Sequence, residues 1–136
     1  MHTSATPDVM QHYTTYSDVV SDIITWLSAA AEKAVKSGVE IFSIDPGIGF
    51  GKTVKDNYTL IARLREFSSL GYPLLIGLSR KSFIGKTLNI ETSERDNPTM
   101  TLEFAAMLKG ANYIRTHNVR NAVMAKELYK NLVTHV

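Results

Sequence analysis

The 136-residue chain contains no cysteine. That excludes disulfide scaffolds, thiol nucleophiles, Cys-ligated zinc and iron–sulfur clusters. An excess of charge of either sign is also missing, since 15 basic and 13 acidic side chains leave a net +2. Even with a pI near 8.9, that balance gives no footprint for a nucleic-acid or membrane-surface binder. No stretch reaches the roughly 18 apolar residues that a membrane span needs. The opening segment, MHTSATPDVMQHYTTYSD, is polar and lacks the apolar core of a signal peptide. The histidines His2, His12, His117 and His135 form no short metal-binding pair. The expected class is a soluble, cytoplasmic protein with no membrane and no nucleic-acid partner.

What is present is ordinary globular composition, 44% hydrophobic and 21% charged, at a length suited to one domain. Residues 1–16 read as a polar loop. Ser17 is the expected cap of a helix from Asp18 to about Ser37, with Val19, Val20, Ile23, Ile24, Leu27 and Ala31 at helical spacing. Ile41 to Ile44 reads as a buried strand ending in Asp45-Pro46-Gly47. A second helix carries Tyr58 to Leu70, and Leu74 to Gly77 is the next strand. A short helical turn follows Ser79 to Ser82, and Asn97-Pro98 is the expected start of a third long helix. Asn112 to Arg115 is the third strand, and a last helix runs from about Arg120 to Val133. Trp26, the methionines and the remaining aromatics are assigned mostly to the core, and Lys126, Glu127 and Lys130 to a solvated helix face.

Strands alternating with helices imply parallel strands joined by right-handed crossovers. Polar and glycine residues gather at three strand ends: Asp45 to Lys52, Gly77 to Ser82, and Arg115 to Asn118. Ligands of parallel α/β folds bind at such ends, so the pattern points to one shared site. Two familiar phosphate motifs fail in the first loop. A P-loop needs glycine where Pro46 stands, and a dinucleotide loop needs glycine at Lys52.

Each motif has a chemical and a bland reading. The Asp45 carboxylate offers two acceptors for paired N–H donors of a planar heterocycle, or it caps the turn or pairs with Lys52. Ser79-Arg80-Lys81-Ser82 brings hydroxyls and cations to a helix start, which suits an anion but equally a solvated cap. Arg115 and His117 point the same way along a strand. Side by side they suit a phosphate or pyrophosphate, and the pairing favours a site over a structural histidine.

The stretches DPGIGFGK (Asp45–Lys52), GLSRKSFIG (Gly77–Gly85) and RTHNV (Arg115–Val119), with PDVMQ (Pro7–Gln11) and YSDVV (Tyr16–Val20), resemble dihydropteroate synthase in order and spacing over essentially the whole chain. The resemblance implies an α/β fold: a partial TIM (β/α)8 barrel, its C-terminal half, with three parallel strands (units 6–8) plus a leading helix. Residues 1–136 would then be the C-terminal part of a single pterin-binding barrel domain. It also implies condensation of p-aminobenzoate with 6-hydroxymethyl-7,8-dihydropterin pyrophosphate, releasing pyrophosphate, in folate biosynthesis and with Mg²⁺ assisting. By motif, Asp45, Lys81 and Arg115 would bind the pterin, and Phe50, Lys81 and Ser82 the aminobenzoate. Arg115 and His117 would bind pyrophosphate, while Gly49, Lys52, Gly77 and Arg80 would line the site. No protein nucleophile is implied. Sulfonamides would compete at Ser82, Lys81 and the Phe50 loop.

Two departures follow. Asn118 stands where the family often has Asp, which removes a charge beside His117 and is expected to be tolerated. The length is short, since a barrel needs about 250 residues. The half that would supply further pterin ligands and an Asn for Mg²⁺ and pyrophosphate has no counterpart here, so no metal ligand is expected in this chain. An inactive fragment that self-associates or forms a homodimer is the expectation. A non-catalytic pterin-binding module and a pterin- or folate-dependent methyltransferase domain are the alternatives. The pyrophosphate-type residues argue against the second.

Overall fold

The computed structural model describes residues 1–3 and 15–135. Most of the expected opening loop, with the Pro7–Gln11 stretch, lies outside them. Helix α1 (Val19–Lys36) buries Val19, Val20, Ile23, Leu27 and Ala31 along one face. Its cap is Asp18 rather than Ser17: the Asp18 carboxylate accepts from the N–H groups of Val20 and Ser21 at 3.0 and 2.9 Å. Ser17 instead donates to Asp22. A carboxylate satisfies two orphan donors and carries the charge that a helix start favours.

Helix α2 (Val54–Ala62) opens on a reciprocal Thr53–Asp56 capping box. The helix expected to continue to Leu70 breaks at Arg63, and Leu64–Leu70 forms a 3₁₀ helix closed by Gly71. The break falls where the Arg63 guanidinium is held by both Asp18 and Glu66. Strand β1 (Leu75–Ile76), helix α3 (Ser82–Leu88), a 3₁₀ turn (Thr92–Glu94), helix α4 (Asp96–Leu108), strand β2 (Tyr113–Ile114) and helix α5 (Val119–Thr134) follow. Helix α4 starts before the expected Asn97-Pro98 pair, and Pro98 is accommodated because first-turn N–H groups have no intrahelical acceptor.

The two strands pair in parallel, Leu75 with Tyr113 and Ile76 with Ile114. The first of the three expected strands, Ile41–Ile44, does not extend into a strand. The run contributes one parallel bridge, Ile44 to Leu74: Ile44 is buried and Phe42 packs against the core, but Ile41 is 94% exposed, so the run is covered on alternate residues and pairs at its Ile44 end. On the far side of this bridge the His2 N–H reaches the Asp45 carbonyl at 2.9 Å. The fold is therefore α/β but mostly helical, with a narrow parallel layer instead of a three-stranded sheet.

Ile44, Leu74, Ile76 and Leu78 from that layer meet Val20, Ile23 and Leu27 of α1, together with Leu60, Phe67, Phe83 and Ala106. Each large apolar side chain buried there contributes roughly 1.5–3 kcal/mol. Trp26 is not core: it is 44% exposed on α1, with its ring edge-on to His2. Helix α5 packs on α4 and has only Ala125 buried. Its Lys126, Glu127 and Lys130 form the expected solvated face, but Val119, Val123, Leu128 and Leu132 are exposed as well. Among the described residues no helix is long and apolar enough to cross a membrane.

Candidate functional site

The parallel layer delivers its C-terminal ends to one side, and the three expected loops meet there. In the first, the Asp45 carboxylate divides its oxygens. Oδ1 accepts the Gly47 N–H at 2.7 Å, so the turn-capping reading holds. Oδ2 lies 3.3 Å from Arg115 Nη2. Gly47 has φ 68, and a side chain at that position would collide with the His2 carbonyl, which fixes glycine there.

Lys52 does not pair with Asp45. Its buried ammonium donates to the Gly47 carbonyl at 2.8 Å and the Phe50 carbonyl at 2.9 Å. It also lies 3.2 Å from His2 Nδ1. Burial lowers the Lys52 pKa to about 8, against the pull of Asp45. Burial first, and then Lys52, lower His2 to about 4, so the imidazole is neutral. The Gly49 N–H is held by the buried Asn57 amide oxygen at 2.6 Å. The Gly47–Gly51 loop is thus laced by side chains from below, and Phe50 stands at its crest.

Lys81 crosses to that crest. Its ammonium sits 3.8 Å from the Phe50 ring centroid, a cation–π contact. Its stem runs along Gly49, where an added Cβ would meet Lys81 Cδ at 2.8 Å. Burial and the neighbouring Arg115 lower the Lys81 pKa, with Asp45 opposing. Arg115 lies across Gly77, where an added Cβ would come within 3.0 Å of Nη2. His117 is fastened through Ser79: its backbone N–H donates to Ser79 Oγ at 3.0 Å, and its Nδ1 is 3.0 Å from the same oxygen.

Phe50, Gly77, Ser79, Lys81, Arg115 and His117 border one cavity of about 310 Å³. Ser82 is not among them. It borders a second cavity, about 660 Å³, with Gly49, Lys52 and Asn57, and Lys81 stands between the two. Arg80 borders neither. Its guanidinium is turned onto Asp96. The expected single site is therefore two adjoining spaces sharing the Gly49–Phe50 loop. The Asp45–Arg115 pair is electrostatically asymmetric: the Asp45 side chain is 9% exposed and that of Arg115 is 56% exposed. The carboxylate is spent inside while the guanidinium can still face a ligand.

Several contributing residues carry no sequence signal. Asn57 and His2 are polar residues in unremarkable settings, and only the fold brings them under the loop. Ser79 lies within a motif, but its bond to His117 spans 38 positions. Buried Glu103, on α4, has no hydrogen-bond partner on either carboxylate oxygen among the described residues. Burial raises its pKa to about 7, opposed by the Thr116 side chain. Among the described residues no three His, Asp or Glu side chains are grouped to hold a metal ion.

Comparison with known proteins bears on this geometry. Dihydropteroate synthase of Escherichia coli K12 is 39% identical over 127 residues, covering 92% of this chain and 45% of that protein. The Synechocystis enzyme of the same name is 42% identical over 122 residues, covering 88% and 42%. The chain thus spans about half the length of the curated relatives it matches. Among solved structures, Thermus thermophilus dihydropteroate synthase in complex with 4-aminobenzoate superposes with a TM-score of 0.93 at 35% identity, covering 98% of this chain and 55% of that one. The Yersinia pestis dihydropteroate synthase with a sulfonamide drug complex gives 0.95 at 34%, covering 98% and 50%. The family model for pterin binding enzymes matches residues 1–117, a span that includes Asp45, Lys81, Arg115 and His117, and this chain belongs to the pterin binding enzyme family.

Proposed function

We propose that this chain supplies the aminobenzoate- and pyrophosphate-facing part of a dihydropteroate synthase, within a (β/α)8 barrel of which it is the C-terminal part. The single observation that supports this most is the meeting of Asp45, Lys81, Arg115 and His117 from three separate loops. Two cations and an imidazole border one cavity, with a buried acceptor behind one of the cations, an arrangement that suits a pterin ring ending in a pyrophosphate.

In the proposed reaction the aminobenzoate amine donates its lone pair to the pterin CH₂ carbon and loses a proton. The C–O bond to pyrophosphate breaks, and its electron pair leaves with the oxygen. Arg115 and His117 face the oxygens on which that charge develops, so their contribution is larger in the transition state than in the ground state. Asp45 would take pterin N–H donors once Arg115 swings toward the phosphates. Ser82 and Gly49, with Phe50 and Lys81 as the dividing wall, would receive the aminobenzoate from the second cavity, the space a sulfonamide would contest. Magnesium belongs to this proposal only as a partner of pyrophosphate: the nearest carboxylate, Asp45, is already bonded at both oxygens, so the residues present form no metal site.

Calorimetric titration of the folded chain with the dihydropterin pyrophosphate tests the reading. Binding that is lost in Asp45→Ala is expected, with negligible turnover by the chain alone. Robust product formation would overturn the fragment reading. Absence of binding by a folded chain would overturn the pterin assignment, and binding without turnover even beside a complementing half would favour a non-catalytic module.

A further inference from the structure

We infer that Asp96 is a positioning residue for the anion-facing cavity and that Asn118 is its matched partner, the two tying the loop after β1 to the loop after β2. The inference rests on the pyrophosphate reading of Arg115 and His117. Ser79 and His117 bond across the two loops, and the next residue in each loop, Arg80 and Asn118, bonds to Asp96. Arg80 Nε and Nη2 donate to the two Asp96 oxygens at 2.7 and 3.0 Å. Asn118 Nδ2 donates to Oδ2 at 3.0 Å. Hydrogen bonds of this charge-assisted, forked kind fix orientation as well as distance.

Both arms depend on α4 or the turn before it. Arg80 has φ 56, a left-handed conformation rare for a residue with a side chain. It is held there by Thr99 Oγ1, which accepts its N–H at 3.1 Å, and by Arg95 Nη1, which donates to its carbonyl at 3.2 Å. Asn118 uses both ends of its amide, because Oδ1 accepts the Asn121 N–H at 3.1 Å and starts α5. A carboxylate at position 118 could keep that cap. It would, however, present only lone pairs to Asp96, whose own carboxyl the Arg80 and Asn118 donors lower to about 2. The two positions are therefore complementary as one acid and one amide. Moving either one displaces Ser79 or His117 by a single peptide link.

The full chain and its D96N, N118D, N118A and D96N/N118D variants would be titrated with inorganic pyrophosphate. The His117 backbone amide and ring nitrogens would be followed by ¹⁵N NMR. N118D and N118A should each weaken pyrophosphate binding by about tenfold and move the His117 signals, whereas the double variant, with roles exchanged, should return to within about threefold. Parent-like binding with unmoved His117 signals in the single variants would overturn the inference. So would a double variant no better than the singles. If N118D loses its amide dispersion, N118A, which adds no charge, decides. If the parent chain binds no pyrophosphate, the functional reading fails, and the His117 signals still decide the clamp by moving and being rescued or by staying fixed.

Discussion

Asp45 and Arg115 are 70 positions apart in the chain and 3.3 Å apart in space. The guanidinium reaches that carboxylate only because it lies flat on Gly77. A Cβ there would sit 3.0 Å from Nη2 and 3.1 Å from Nε. Gly77→Ala should leave the fold within about 1 kcal/mol of the parent, since the far end of a flexible side chain can move. It should still weaken binding of the dihydropterin pyrophosphate several-fold, read by calorimetry. Unchanged affinity would show that Arg115 need not rest there.

Ser79 carries a different load. Ser79→Ala removes the acceptor of the His117 N–H and the neighbour of its Nδ1. The expected cost is about 1 kcal/mol in urea unfolding, the usual worth of one such bond. A loss of pyrophosphate affinity should accompany it. Loss of stability with full affinity would separate the tether from the anion site.

The buried titratable groups set the pH dependence. Native Glu103 holds its proton up to about 7 against 4.5 for the ordinary carboxyl. Its contribution to stability is complete below pH 4.5 and is lost as pH rises to 7. His2 works in the opposite sense: its pKa falls from 6.5 to about 4, so stability rises over that range. The two nearly cancel between pH 4.5 and 6.5. Glu103→Gln should break the balance, gaining on the parent from pH 4.5 upward by at most ~3 kcal/mol above pH 7. A difference that does not change between pH 5 and pH 8 in urea unfolding would rule Glu103 out. Lys52 adds a further rise from about pH 8 to 10.5, which Lys52→Met should abolish.

Two exposed apolar strips on α5, Val119 with Val123 and Leu128 with Leu132, predict behaviour in solution. Val119 and Leu128 are 66% and 64% exposed, and a groove of about 680 Å³ lies between that helix and the free side of β2. The chain is expected to self-associate at micromolar concentration, read by light scattering after size exclusion, and Leu128→Glu with Leu132→Glu should reduce it. A monodisperse monomer of the unsubstituted chain would contradict this.

The strand ends are legible in the sequence because glycine, proline and charge punctuate them. Asp45, Lys81, Arg115 and His117 are all found where those punctuation marks place them. That the Ile41–Ile44 run falls short of a strand is not legible, since a short apolar run carries no sign of which of its residues are covered, and Ile41 is uncovered. Trp26 departs from expectation for the same reason. Ser82 adjoins Lys81 in sequence, yet the turn into α3 sends the two side chains to different cavities. Asn57, His2 and Asp96 act through partners that only the folded chain brings near, and no local pattern encodes such distances.

The strand layer holds the three loops by only a few backbone bonds, and Asp45–Arg115, Ser79–His117 and Asp96 supply much of the remaining connection. A molecule bound among them would act as a structural member. Each tenfold rise in its concentration above the dissociation constant would add about 1.4 kcal/mol to the unfolding free energy. The melting temperature of this chain is therefore itself an assay for ligands, able to rank fragments of substrate without any turnover at all.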